Sequence, residues 1–125
     1  MGKVKSGDVF YAFRSDIENP HPKYQLYFDD ETVLFINTKE SKASVTVTVT
    51  VKDCPILDYD SQLCIDTVFE YQKNCKVLKI TQLSTSMLER LKVMIHMSTL
   101  LSGKHIKKIE KAIAMTLRSE ERRVG

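Results

Sequence analysis

Apolar and polar residues alternate over the first two thirds of the chain, and this period of two predicts short β-strands. The predicted strands cover residues 8–14, 23–28, 32–37, 44–51, 63–70 and 75–80. The acidic residues 29–31 form a tight turn between the second and third strands, which predicts a hairpin. Residues 44–51 alternate valine with threonine, which predicts a long strand with one buried face.

The pattern then changes to a period of three to four residues, which predicts two amphipathic helices. Ser84 or Ser86 can cap the first helix, and Ser86 with Glu89 satisfies a capping box. Its apolar stripe consists of Met87, Leu88, Leu91, Met94 and Ile95. After a break at residues 100–103, the second helix covers residues 104–117, with a stripe of Ile106, Ile109, Ile113 and Leu117.

Together these elements predict a mainly β fold with C-terminal helices, namely a small β-barrel followed by two helices. A chain of 125 residues with 42% hydrophobic residues suits one domain with a core of its own. We assign residues 1–117 to that domain. In residues 118–125 apolar residues no longer recur every three to four positions, and we expect this tail to lie outside the native structure.

Several classes of function find no support in the sequence. No run of about 18 to 20 apolar residues is present, so we expect no membrane association and a cytoplasmic location. The three cysteines are odd in number and lack the spacing of zinc ligands, which favours free thiols and no metal site. The motifs of phosphate-binding loops, dinucleotide folds and nucleophile elbows are absent, so we expect no cofactor.

Charge is distributed unequally along the chain. Residues 1–72 hold 7 Lys or Arg against 12 Asp or Glu, whereas residues 73–125 hold 12 against 4. A basic half can contact the phosphates of a nucleic acid, and it can also neutralise the acidic half within the fold or across a dimer.

One group of residues has a concrete chemical interpretation as a site for RNA cleavage without metal. That reaction needs a base for the ribose 2′-hydroxyl, an acid for the leaving oxygen, and donors for the phosphate. His21 can serve as base or acid, Lys23 or Arg14 as a phosphate-binding cation, and Thr38 as a hydrogen-bond donor. Antiparallel pairing of the second and third strands would place Lys23 and Thr38 at the same end of the sheet.

Four short motifs, in this order, resemble the MazF/PemK-type toxin family. They are Lys5-Ser6-Gly7-Asp8-Val9, His21-Pro22, Ile36-Asn37-Thr38 and Gln82-Leu83-Ser84-Thr85. The resemblance implies an SH3-like barrel that forms a homodimer, cleaves single-stranded RNA without metal and is inhibited by an antitoxin protein. It also implies catalytic roles for His21 and Thr38 and substrate contacts for Arg14, Lys23 and Ser84.

The chain departs from the family pattern at two positions. His21 stands where the family commonly has an arginine before the loop proline, and Ser84 replaces a second basic residue. A non-catalytic barrel therefore remains as an alternative, either as a binding module or as an accessory protein of a phage or mobile element. In that case the basic helices would hold a protein or nucleic-acid partner.

Overall fold

A computed structural model describes residues 4–37 and 45–124, with side chains described up to Ser119 in the last helix. The strands are β1 (Asp8–Arg14), β2 (His21–Asp29), β3 (Thr32–Asn37), β4 (Thr46–Val49), β5 (Ser61–Cys64) and β6 (Val77–Gln82). The helices are α1 (Thr85–Met94) and α2 (Gly103–Val124), and a 3₁₀ turn, Ile95–Met97, follows α1 directly. The prediction of a mainly β fold with two C-terminal helices is confirmed.

The six strands form one antiparallel sheet in the order β4-β5-β3-β2-β1-β6. The predicted bounds of β1 and β3 are correct, and the predicted hairpin joins β2 to β3. β4 and β6 are the edges, and no ladder joins them over the described residues. The sheet is therefore open there, and the closure that a barrel requires is not confirmed.

The main core lies between one face of the sheet and the two helices. Alternation places Val9, Leu26 and Leu34 on this face of neighbouring strands, and all three are fully buried. The predicted helical stripes meet them: Leu91 of α1 and Ile109 of α2 are also fully buried. The apolar period of the sequence thus identified the faces that pack together.

A second, smaller layer covers the opposite face of the sheet. The rings of Phe35 and Phe69 stack with centroids 3.7 Å apart, and Tyr71 contacts Phe10 edge-on at 5.5 Å. Beneath this layer the polar side chain of Gln25 is only 1% exposed. Both faces of the central strands are therefore buried.

Four strands differ from their predicted bounds, and β2 begins two residues earlier and ends one residue later than residues 23–28. β4 is shorter than residues 44–51: Thr46–Val49 pair with β5, and Val47 and Val49 are the buried residues of this strand. The predicted strand 63–70 is interrupted, because Leu63 and Phe69 both pair with β3 while the residues between them leave the ladder. β6 begins and ends two residues later than predicted.

The Gly-Asp pair at the start of β1 has a structural explanation. Gly7 has φ +90°, a conformation that glycine adopts at low cost, and its amide donates to the Tyr27 carbonyl at 2.8 Å. A Cβ at Gly7 would lie 3.1 Å from Thr116 Cγ2, so a side chain would push against α2. Asp8 closes the turn by accepting a 2.8 Å hydrogen bond from the Lys5 amide.

α2 continues through Val124, beyond the predicted end at Leu117. Its buried Ile109 and Ile113 and its partly buried Ile106 and Leu117 match the predicted stripe. Among the described residues, neither helix has a stretch that is both long and apolar enough to cross a bilayer.

The burial of the thiols predicts different reactivities. Cys54 is fully buried, and desolvation raises its pKa to about 11, whereas Cys75 is only partly buried. Since the thiolate is the reactive form, only about a thousandth of Cys54 would be ionised at pH 8. We expect iodoacetamide to alkylate Cys75 in the native protein and Cys54 only after unfolding, as measured by peptide mass spectrometry. Equal labelling rates at the two positions would contradict this burial.

Candidate functional site

The first two strands bring His21 and Lys23 to one end and one face of the sheet. In the β1–β2 ladder, His21 lies opposite Arg14 and Lys23 opposite Ala12. Residues two apart on a strand point to the same face, with Cα atoms about 6.5 Å apart. The two side chains can therefore act on one ligand.

The imidazole of His21 is exposed and held by the loop before it. Nδ1 donates to the backbone carbonyl of Asn19, an atom that can only accept. In the neutral ring the proton then sits on Nδ1, and Nε2 carries the free lone pair. This arrangement leaves Nε2 as a proton acceptor.

Lys23 is half-buried beside uncharged neighbours. Its ammonium donates to Asn37 Oδ1 and lies 5.1 Å from the centroid of the Phe35 ring. Desolvation by burial lowers the pKa of Lys23, and the neighbouring Cys64 only partly opposes that effect. The charged amine is thus less well solvated than a surface lysine.

A row of polar side chains extends from Lys23 across the sheet, and sequence analysis did not find it. Asn37 at the end of β3 pairs with Gln62 of β5 in the ladder, and Gln62 Nε2 donates to Thr48 Oγ1 of β4 at 3.2 Å. The sequence contained part of this information, because the Val/Thr alternation places Thr48 on the face away from the buried valines. The pairing of Gln62 with Asn37 depends on long-range register and leaves no local pattern.

Arg14 lies at the same end of the sheet, but its guanidinium is only 1% exposed. It donates to both carboxylate oxygens of Asp16, at 2.9 and 2.5 Å, and to Gln25 Oε1 at 3.1 Å. It also donates to the Glu70 carbonyl at 2.7 Å and lies 5.1 Å from the Phe35 centroid. A phosphate could bind Arg14 only by displacing these partners. The contacts give Arg14 a structural role, and its contact with a substrate stays a prediction.

Ser84 lies at the other end of the sheet. It is the N-cap of α1: its hydroxyl accepts from the Met87 amide at 3.1 Å and donates to Asp53 at 2.7 Å. β6 places it beyond the Asp8 end of β1, whereas His21 pairs at the Arg14 end, about 20 Å away along the strands. Ser84 instead lines a separate cavity of about 340 Å³ with Leu88 and Thr116.

The predicted residues therefore fall into two groups. The sheet brings His21, Lys23 and Arg14 together and leaves Ser84 apart. Thr38 lies outside the described residues, although Asn37, the residue before it, does reach Lys23 as the predicted hairpin requires.

Removing the Arg14 side chain tests its structural role. Arg14→Ala would leave the buried Gln25 Oε1, the Glu70 carbonyl and the Asp16 carboxylate without their donor. We expect the free energy of unfolding to fall by about 3 kcal/mol, as for other buried pairs that lose one partner. Urea denaturation measures this loss. Arg118→Ala, at an exposed position of α2, should change stability by less than about 0.5 kcal/mol, and an equal effect of the two variants would refute the assignment.

Ser84 and Ser86 form a matched pair for a test of the cap. Ser84→Ala should cost about 1 kcal/mol of stability and Ser86→Ala much less, because only Ser84 accepts from an amide of the first turn. The Ser84 hydroxyl also lowers the pKa of Asp53, so this pair stabilises the fold above about pH 4 and the benefit is lost on acidification. The acid-induced loss of stability should be shallower in Ser84→Ala. Similar urea midpoints for both variants would contradict the assignment.

Comparison with known proteins adds no family assignment to this geometry. No family model matches the chain, and no curated protein matches it. The resemblance to MazF/PemK-type toxins therefore rests on its four motifs, of which Gly7-Asp8 and Ser84 have structural roles of their own.

Proposed function

We propose that the protein is a metal-independent endoribonuclease that acts on single-stranded RNA at the face carrying His21 and Lys23. One observation carries the proposal: the Asn19 carbonyl fixes the proton of His21 on Nδ1, so that exposed Nε2 can accept one. Lys23, two residues further along the same face, supplies a cation. A base and a cation at this spacing suit cleavage of a phosphodiester.

In the proposed reaction, His21 Nε2 takes the proton of the ribose 2′-hydroxyl. The 2′ oxygen then bonds to phosphorus, the bond from phosphorus to the 5′ oxygen breaks, and the leaving oxygen takes a proton from water. The hydroxide formed in this way removes the proton from His21 Nε2 and restores the base. Lys23 stabilises the additional negative charge on the phosphate oxygens, and Thr38 donates a hydrogen bond to one of them. The products are a 2′,3′-cyclic phosphate and a 5′-hydroxyl end.

The wider prediction belongs to the same proposal. The protein is a divergent MazF/PemK-type toxin with an SH3-like barrel, it acts in the cytoplasm as a homodimer, and an antitoxin protein inhibits it. The support is the antiparallel sheet followed by two helices, together with the order of the four motifs along the chain. The basic C-terminal half offers additional contacts to RNA.

A non-catalytic binding module is the second candidate, and a specific observation favours it. Arg14 is engaged with Asp16, Gln25 and Glu70, and Ser84 caps a helix at the far end of the sheet. Arg14, Lys23 and Ser84 were expected to contact substrate. Of these three residues, Lys23 is the one that offers a positive charge on the face that carries His21. Such a site can bind a phosphate without turning it over.

Incubation with a mixed-sequence single-stranded RNA in EDTA tests the proposed reaction. We expect cleavage to cyclic phosphate ends, and we expect His21→Ala to reduce the rate by about a hundredfold or more, as loss of a general base does. Lys23→Gln should also slow cleavage, because it removes the cation but keeps a polar side chain. Product ends are identified by mass spectrometry.

His105→Ala is the matched control, since this partly exposed histidine lies on α2 and contacts Ser102. Its rate should equal that of the unmodified protein. Intact RNA in the presence of folded protein, combined with binding that weakens as salt is added, would reject the nuclease in favour of the binding module. Cleavage that survives His21→Ala would reject the assigned base.

A further inference from the structure

A cavity of about 460 Å³ opens where β1 ends and β6 begins. Phe13 and Ser15 line it from the end of β1, and residues 72–76, which precede β6, complete the wall. Its volume falls within the range of about 300 to 1,000 Å³ that is usual for small-molecule sites. One nucleotide unit fits a space of this size.

Hydrogen bonds beside the cavity and between its lining residues fix its walls. The Glu70 carbonyl accepts from Arg14 at 2.7 Å, and the Tyr71 amide donates to the Asp30 carbonyl at 2.9 Å. Gln72 then holds Ser15 twice: Oε1 accepts from the Ser15 amide and Nε2 donates to the Ser15 hydroxyl, both at 3.3 Å. A site formed before binding loses little entropy when a ligand enters.

The chemistry of the lining suits a nucleotide. Among the described residues that line the cavity there are two lysines, Lys73 and Lys76, and no carboxylate, so the wall attracts an anion. Lys73 is paired with Asp30 at 3.4 Å, which leaves Lys76 as the better phosphate contact. The ring of Phe13 is 46% exposed and can stack on a base, and the amide of Asn74 can both donate to and accept from a base edge.

The cavity lies at the same end of β1 as His21. Arg14 pairs with His21 across the ladder, and its two neighbours in the chain, Phe13 and Ser15, both line the cavity. A single strand of RNA that passes round this end of the sheet contacts both places.

We propose that this cavity binds one nucleotide of single-stranded RNA, with the base stacked on Phe13 and the phosphate held by Lys76. The link to RNA rests on the proposed function, whereas binding of a free nucleotide does not. Base preference then arises in the cavity, where Asn74 and the remaining donor of the Gln72 amide meet the base edge.

Calorimetric titration with the four ribonucleoside 5′-monophosphates tests the proposal, with ribose 5-phosphate as the probe that lacks a base. We expect the nucleotides to bind more tightly than ribose 5-phosphate. Phe13→Ala should weaken nucleotide binding about tenfold, the usual effect of losing one stacking partner. Lys76→Gln should weaken binding of the nucleotides and of ribose 5-phosphate alike and reduce the salt dependence.

Val93→Ala and Lys92→Gln are the controls, because both positions are exposed on α1 and line no part of the cavity. Both should bind nucleotides as the unmodified protein does. Phe13→Leu keeps an apolar side chain without a ring, so it replaces Phe13→Ala if that variant fails to fold. Unchanged nucleotide affinity in both a folded Phe13 variant and Lys76→Gln, or equal affinity for nucleotide and ribose 5-phosphate, would overturn the proposal.

The two proposals fail in different ways. RNA cleavage with a normal rate and normal base preference in a folded Phe13 variant would reject the cavity and leave the nuclease intact. Nucleotide binding that depends on Phe13 and Lys76, without any cleavage of RNA, would support the cavity and reject the nuclease.

Discussion

The guanidinium of Arg14 joins three segments of the chain, the last of them 56 residues away. It fixes the loop after β1 through Asp16, the buried face of β2 through Gln25, and the segment before β6 through the Glu70 carbonyl. His21 lies opposite Arg14 in the ladder, and the residues that follow Glu70 form the wall of the nucleotide-sized cavity. The positions of both candidate sites therefore depend on this one buried cation.

Burying an arginine is costly unless its donors find acceptors, and here four of the five N–H groups of Arg14 are hydrogen-bonded. Asp16 supplies a bidentate carboxylate, and the stacked rings of Phe35 and Phe69 provide aromatic surface 5.1 and 5.7 Å from the guanidinium carbon. The planar fork of an arginine suits this set of acceptors, whereas a lysine could not bond to both oxygens of Asp16 in the same geometry. The contacts of the Arg14 guanidinium thus determine how the layer of Phe35 and Phe69 packs on the sheet.

The sequence was informative where structure follows from local periodicity. The bounds of β1 and β3 and the buried stripes of both helices could be predicted, because alternation and helical spacing are properties of adjacent residues. The contact of Arg14 with Glu70, 56 residues away, left no such signal, and Arg14 was therefore interpreted as a phosphate-binding cation. Ser84 could be predicted as a helix cap, but its distance from His21 follows only from the pairing of β6 with β1.

Arg14 is buried and bonded to its neighbours, so Lys23 is the more accessible of the two cations for a phosphate at this face. Burial lowers the pKa of Lys23, because the protein solvates the ammonium less well than water does. A bound phosphate would in turn stabilise the ammonium and raise that pKa, and by linkage phosphate affinity falls as the pH rises through the pKa of Lys23 in the free protein.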